Sequence, residues 1–156
     1  MSAKADDLYG KHQSPVWRAE ADFLIMAKVD GDGESQKWEQ LWTKKIDAHK
    51  FVICCIPFFT WDMDLGDEVE TTNDYVFTRV LRPSGYKTHR IWFGNSLGTD
   101  TDEVAQTLQN LGAEVEWSSR NLLAVSAASK EINSNILKYL LHQHNQQRLI
   151  YESVRP

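Results

Sequence analysis

The densest cluster of reactive side chains lies between Thr60 and Asp74, where Asp62, Asp64, Asp67, Glu68, Glu70 and Asp74 occur with no Lys or Arg among them. Carboxylates held this close repel one another, and a cationic partner relieves that repulsion. Trp61, at the head of the run, is the kind of aromatic anchor that dominates protein interfaces. Trp61, Asp62, Asp64, Glu68 and Glu70 are therefore candidate partner-binding residues, suited to a docking surface for a basic protein. The plainer reading is a solvated loop and strand whose acidic residues block edge-to-edge pairing. As a calcium loop, Asp62 to Asp67 fails: its glycine falls one place early and no bidentate Glu follows. Asp30 to Asp32 fails in the same way, so no metal site is expected.

The next stretch has the opposite sign. From Tyr75 to Thr99 there are no acids, whereas Arg79, Arg82, Lys87 and Arg90 are present and interleave with Tyr86 and Trp92. This is the alternative site, a phosphate- or single-stranded-RNA-binding surface of a regulatory domain. The plainer reading pairs these cations with the acidic run on a neighbouring strand. The aromatic pattern of RNA-recognition sheets is missing. A net charge of −5 and a pI of about 5.5 give counterion release little to work with; they favour basic partners over nucleic acid or anionic membranes.

Other chemistry is sparse. His142 and His144 sit two apart on a helical stretch and point apart, so they cannot share a metal. His89 lies near Ser84 without a paired acid or a nucleophile elbow. No phosphate-binding Walker loop, dinucleotide fingerprint or HExxH motif occurs. The two cysteines, Cys54 and Cys55, are adjacent; in a strand they face opposite sides, so they read as two buried free thiols of a reducing compartment. No catalytic residue and no cofactor is expected.

Hydrophobic patterning sets the elements that must position these residues. Residues 1–20 read as a polar lead-in, loose until Trp17. Alternation predicts strands over Phe23–Val29 and Trp38–Ile46, with a turn at Asp30–Gly33 between them. Phe51–Ile56 is apolar on both faces and reads as a central covered strand that Pro57 ends. Strands follow around Glu68–Thr72, Val76–Leu81 and Thr88–Phe93, the last two joined by a hairpin at Pro83–Gly85.

The rhythm then changes. Asp100 with Glu103 is a helix start, Val104, Leu108 and Leu111 keep helical spacing, and Gly112 marks the stop. Ala113–Trp117 is a half-buried strand with Glu114 and Glu116 on its polar face. Asn121–Ser126 is a strand, and Ser129 caps a second helix. That helix's Ile132, Ile136, Leu137, Tyr139, Leu140 and Leu141 form a wide apolar stripe, a cover for a sheet or a dimer surface. Leu149–Val154 is the last strand.

The expected fold is α+β. A β-rich subdomain over residues 21–88, a curled antiparallel sheet, packs on a ferredoxin-like βαββαβ sandwich over residues 89–156.

Ile56–Phe59, Leu65–Glu70, Pro83–Arg90, Gly112, Leu122–Val125 and Tyr151–Glu152, in this order and spacing, resemble the bacterial domain-of-unknown-function family 4265 over about residues 22–155. The resemblance implies no catalytic residues. Small acidic proteins of this kind are often immunity partners encoded beside a toxin in bacterial competition systems. The expectation is therefore a non-enzymatic binding protein that occludes a cognate, basic toxin domain. The N-terminus has no apolar leader and the longest apolar run, Phe51–Phe59, is far shorter than a bilayer span, so a cytoplasmic location is expected.

Overall fold

The computed structural model describes residues 8–29, 36–94 and 99–154. The turn at Asp30–Gly33 lies outside them. The chain is α+β, with two largely antiparallel sheets and two helices.

The first sheet holds β1 (Leu8–Gly10), β2 (Phe23–Val29), β3 (Lys37–Lys45), β4 (Lys50–Ile53), β5 (Glu68–Thr71) and β6 (Phe77–Arg82). Its backbone is the path β1-β3-β4-β5-β6, with β2 on the other edge of β3. β2 and β3 pair in continuous register from Phe23↔Thr43 to Val29↔Lys37. Period-two alternation sends Ile25, Ala27 and Leu41 inward to join Phe51, Ile53, Met63 and Val69 in one core. The Met26 N–H donates to Tyr75 C=O, and a single parallel bridge from Met26 to Val76 brings the start of β6 back to β2.

The second sheet has the order β10-β7-β9-β8, from β7 (Lys87–Trp92), β8 (Glu114–Trp117), β9 (Leu122–Ala127) and β10 (Ile150–Ser153). α1 (Thr101–Asn110) lies between β7 and β8 in the chain, and α2 (Lys130–Asn145) between β9 and β10. Both helices start where the sequence predicts. Asp100 accepts from the Glu103 N–H at 3.0 Å, and Ser129 accepts from the Ile132 N–H at 3.2 Å. Gly112, at φ +102°, takes the left-handed turn that ends α1. Val104 and Leu108 of α1 and Ile136 and Leu140 of α2 close one core against Ile91, Leu123 and Val125, so the stripe on α2 covers the sheet. Leu141 alone among its large apolar side chains stays exposed.

Two expectations are corrected. Pro83–Gly85 is not a hairpin, because β6 and β7 belong to different sheets. Pro83 has no N–H to offer a ladder. The next residue is tied backwards, its N–H to Asp67 Oδ1 at 2.8 Å and its hydroxyl to Leu65 C=O at 2.6 Å, and Gly85 turns at φ +93°. The chain therefore crosses between sheets here. Nor is the lead-in loose up to Trp17: β1 pairs with β3, and His12 is buried at 2% exposure. Gly10 permits this close approach, since a Cβ there would lie 2.8 Å from the Phe59 ring and 3.1 Å from Glu39 Cγ.

Cys54 and Cys55 are buried free thiols. Burial, reinforced by the neighbouring Cys55, pushes Cys54 up to about 12; burial likewise raises Cys55. No helix among the described residues is long and apolar enough to cross a membrane.

Candidate functional site

The side of the second sheet away from the helices is built in rows across the strands. Register places Glu116, Ala124, Arg90 and Glu152 in one row, and Leu122, Trp92 and Ile150 in the next. The first row is the junction with the first sheet. Ala124 packs with Ile56, Phe58 and Leu65 from the loop that follows β4.

A charged cluster closes that junction. His12 lies between two carboxylates from different sheets, Nε2 at 2.7 Å from Glu39 Oε2 and Nδ1 at 2.8 Å from Glu116 Oε1. Its ring stacks on Phe58, with centroids 3.9 Å apart and planes 10° apart. Glu39 also accepts the N–H groups of Phe58, Phe59 and Thr60 at 2.7, 3.0 and 2.8 Å and the Thr60 hydroxyl at 2.6 Å. Glu116 accepts the N–H groups of Ile56 and Val16.

Burial works against charge on Glu39, but the His12 hydrogen bond and charge, with the Thr60 and Phe58 donors, lower it from 4.5 to about 2. Burial likewise opposes a charged His12. The Cys55 sulfur and the bonds to Glu116 and Glu39 outweigh it and raise His12 well above its ordinary value. Burial favours the neutral thiol of Cys55, while the two carboxylates stand at hydrogen-bond distance from both ring nitrogens of His12. No group of three or more His, Cys, Asp or Glu among the described residues is arranged to hold a metal ion.

Arg90 links this cluster to the surface. It is 4% exposed and donates to Pro57 C=O and Thr60 C=O. Burial pulls its pKa down, while Glu39, Glu152 and Asp64 pull it back. Its guanidinium lies over the Trp61 ring, 5.0 Å from the centroid. Trp61 is 44% exposed, and Trp92 and Ile150 in the adjacent row are exposed to a similar degree. Register sets Trp92 and Ile150 next to Arg90 and Glu152 on this side of the sheet, and Trp61 covers the Arg90 guanidinium; of the exposed acids, Asp62 follows Trp61 in the chain and Glu152 lies opposite Arg90.

The structure divides the sequence-predicted residues differently. Trp61 and Asp62 are on the surface. Asp64, expected there too, is 2% exposed and accepts from the Thr88 hydroxyl at 2.6 Å, tying its loop to β7. Asp67 is buried and accepts the Ser84 and Asp64 N–H groups. Desolvating these acids is offset by donors, so they serve as anchors and not as docking groups. Glu70 pairs with Arg79 at 3.1 Å, and half-buried Glu68 lies opposite Arg82 in register. The cross-strand pairing of the two charged stretches is therefore present at Glu70–Arg79.

Of the alternative phosphate-binding set, Arg79, Arg82 and Lys87 are exposed, but buried Arg90 is spent on backbone carbonyls and cannot serve. His89 is buried, its nitrogens 2.8 Å from Ser153 Oγ and 2.6 Å from Asn133 Oδ1; burial lowers its pKa. Its serine partner is thus Ser153 and not Ser84. The neighbouring Val154 N–H goes to Thr88 C=O, and the trio ties β10 and α2 to β7.

Sequence reasoning missed His12, Glu39 and Glu116. The available signal was Glu39, which shares strand parity with inward-facing Leu41 and Thr43.

Among solved structures, the chain resembles a hypothetical protein from Neisseria gonorrhoeae at 20% identity, with a TM-score of 0.67, covering 84% of this chain and 94% of that one. At that identity the likeness concerns the fold alone. No curated protein matches the chain. A family model described as "Domain of unknown function (DUF4265)" matches residues 39–151, a span that includes Glu39, Trp61, Arg90, Trp92 and Glu116. The chain belongs to that family.

Proposed function

We propose that this protein is a non-enzymatic binding module, most concretely an immunity protein that occludes a basic toxin domain, and that its contact surface is the Trp61–Trp92–Ile150 face with Asp62 and Glu152 at its rim. The observation that carries the reading is Trp61, a large aromatic left on the surface while its underside is fixed on a buried arginine. Rigid aromatic anchors of this kind lose little entropy on binding and are enriched among interface hot spots. The acidic rim and the net charge of −5 suit a cationic partner, whose approach they would accelerate. The strand order β10-β7-β9-β8 with two intervening helices supports a ferredoxin-like reading of the C-terminal half, a scaffold that by itself specifies no activity.

The test begins with a toxin-like protein encoded beside this one, purified and titrated calorimetrically. Trp61→Ala and Trp92→Ala should each weaken binding by roughly thirtyfold, about 2 kcal/mol. Reversing charge at Asp62 and Glu152 should slow association and flatten its salt dependence. Binding that ignores all four substitutions removes this face from consideration; a neighbouring toxin that is neither bound nor neutralised removes the immunity reading.

A further inference from the structure

His12 is held as a ligand is held. Both carboxylates that grip it are positioned by other groups: Glu39 by three consecutive N–H groups and the Thr60 hydroxyl, Glu116 by the N–H groups of Ile56 and Val16. Phe58 supplies a flat floor under the ring. The His12 backbone is anchored separately, its carbonyl accepting from Trp42 Nε1 at 2.9 Å. The two carboxylates come from β3 and β8, so whatever sits between them also couples the two sheets.

We propose that Glu39, Glu116 and Phe58 form a preorganised binding site for an imidazolium, a flat cation with two diverging N–H donors, which this chain fills with its own His12. The chemistry selects that class. A neutral imidazole has one donor and one acceptor, so one carboxylate would face a lone pair. An ammonium has no flat face to lay on Phe58. The charged groups around the ring are Glu39 from β3, Glu116 from β8 and, acting on Glu39 from β7, Arg90; the Cys55 thiol borders it after β4. The segment carrying His12 is then a tethered ligand, and any event that withdraws it opens a receptor for a histidine side chain.

The test is rescue of His12→Gly with imidazole. Thermal unfolding of the variant and the wild type is followed during imidazole titration at pH 6 and pH 9. The variant should gain roughly 5–10 °C in Tm at a hundred times Kd at pH 6. It should gain far less at pH 9, where imidazole is uncharged, and far less from N-methylimidazole, whose cation offers one N–H where the site takes two. The wild type should not respond. Equal responses in variant and wild type, or equal rescue at both pH values, overturn the proposal. If the variant is unfolded alone, imidazole at pH 6 should restore its far-ultraviolet circular dichroism, and failure to do so counts against the site. Nitrogen NMR of the wild type gives an independent reading: both His12 ring nitrogens should carry protons at pH 8, and a neutral ring there overturns the proposal.

Discussion

Replacing Glu39 with Gln tests how much of the fold rests on the buried cluster. The amide keeps the shape, and its oxygen can still accept from Thr60. Its nitrogen, however, must face the His12 Nε2 and Phe58 N–H donors that Glu39 Oε2 now accepts at 2.7 Å each. Removing one partner of a buried ion pair typically costs about 3–5 kcal/mol. Linkage gives a similar figure: a carboxyl lowered from 4.5 to about 2 on folding contributes roughly 3 kcal/mol at neutral pH. For a chain of this size that is on the order of a 10 °C fall in Tm.

The sign of the pH dependence is set by the same group. Because the folded pKa is depressed, the contribution is complete above about 4.5 and fades as pH falls towards 2. His12 has the opposite sign. Its contribution is complete below its ordinary 6.5 and lost as pH climbs through the raised folded value. Urea unfolding of wild type and Glu39→Gln from pH 3 to 10 separates these. The wild type should lose stability at both ends. The variant should be weaker at pH 7 and flatter on the acid side. A loss below about 1 kcal/mol at pH 7, the range of an exposed pair, would refute the argument that this cluster holds the two sheets together.

Two further outcomes follow from burial. Asp64→Ala should cost roughly 1–3 kcal/mol in urea unfolding by stranding the Thr88 hydroxyl; a loss within about 0.5 kcal/mol, the range of an ordinary surface substitution, would contradict its role as a buried anchor. Cys54 and Cys55 should resist a thiol reagent at pH 8 in the native protein and react at once in urea, since both are buried with raised pKa values; rapid native labelling of Cys55, which borders His12, would show the junction to be open.

Local signals in the sequence were sufficient for the elements whose cause is local. Asp100 with Glu103, Ser129 and Gly112 bound the helices because caps and left-handed turns are made by the residues themselves. The alternation of Ile25, Ala27 and Val29 fixes which face of β2 is buried, and the adjacency of Cys54 and Cys55 makes a mutual bridge strained. Trp61 and Asp62 were legible as surface groups. Only tertiary structure decided what the second face of each strand meets. Glu114 and Glu116 alternate with Val115 and Trp117 as if facing water, yet the first sheet covers that side and Glu116 ends at 4% exposure. Asp64, Arg90 and His12 likewise look like surface charges. Each is buried because a partner distant in sequence supplies the compensating donor or acceptor: Thr88 for Asp64, Thr60 for Arg90, Glu39 and Glu116 for His12. Periodicity records whether a side chain is polar, but whether a polar side chain is solvated depends on what the rest of the chain brings against it.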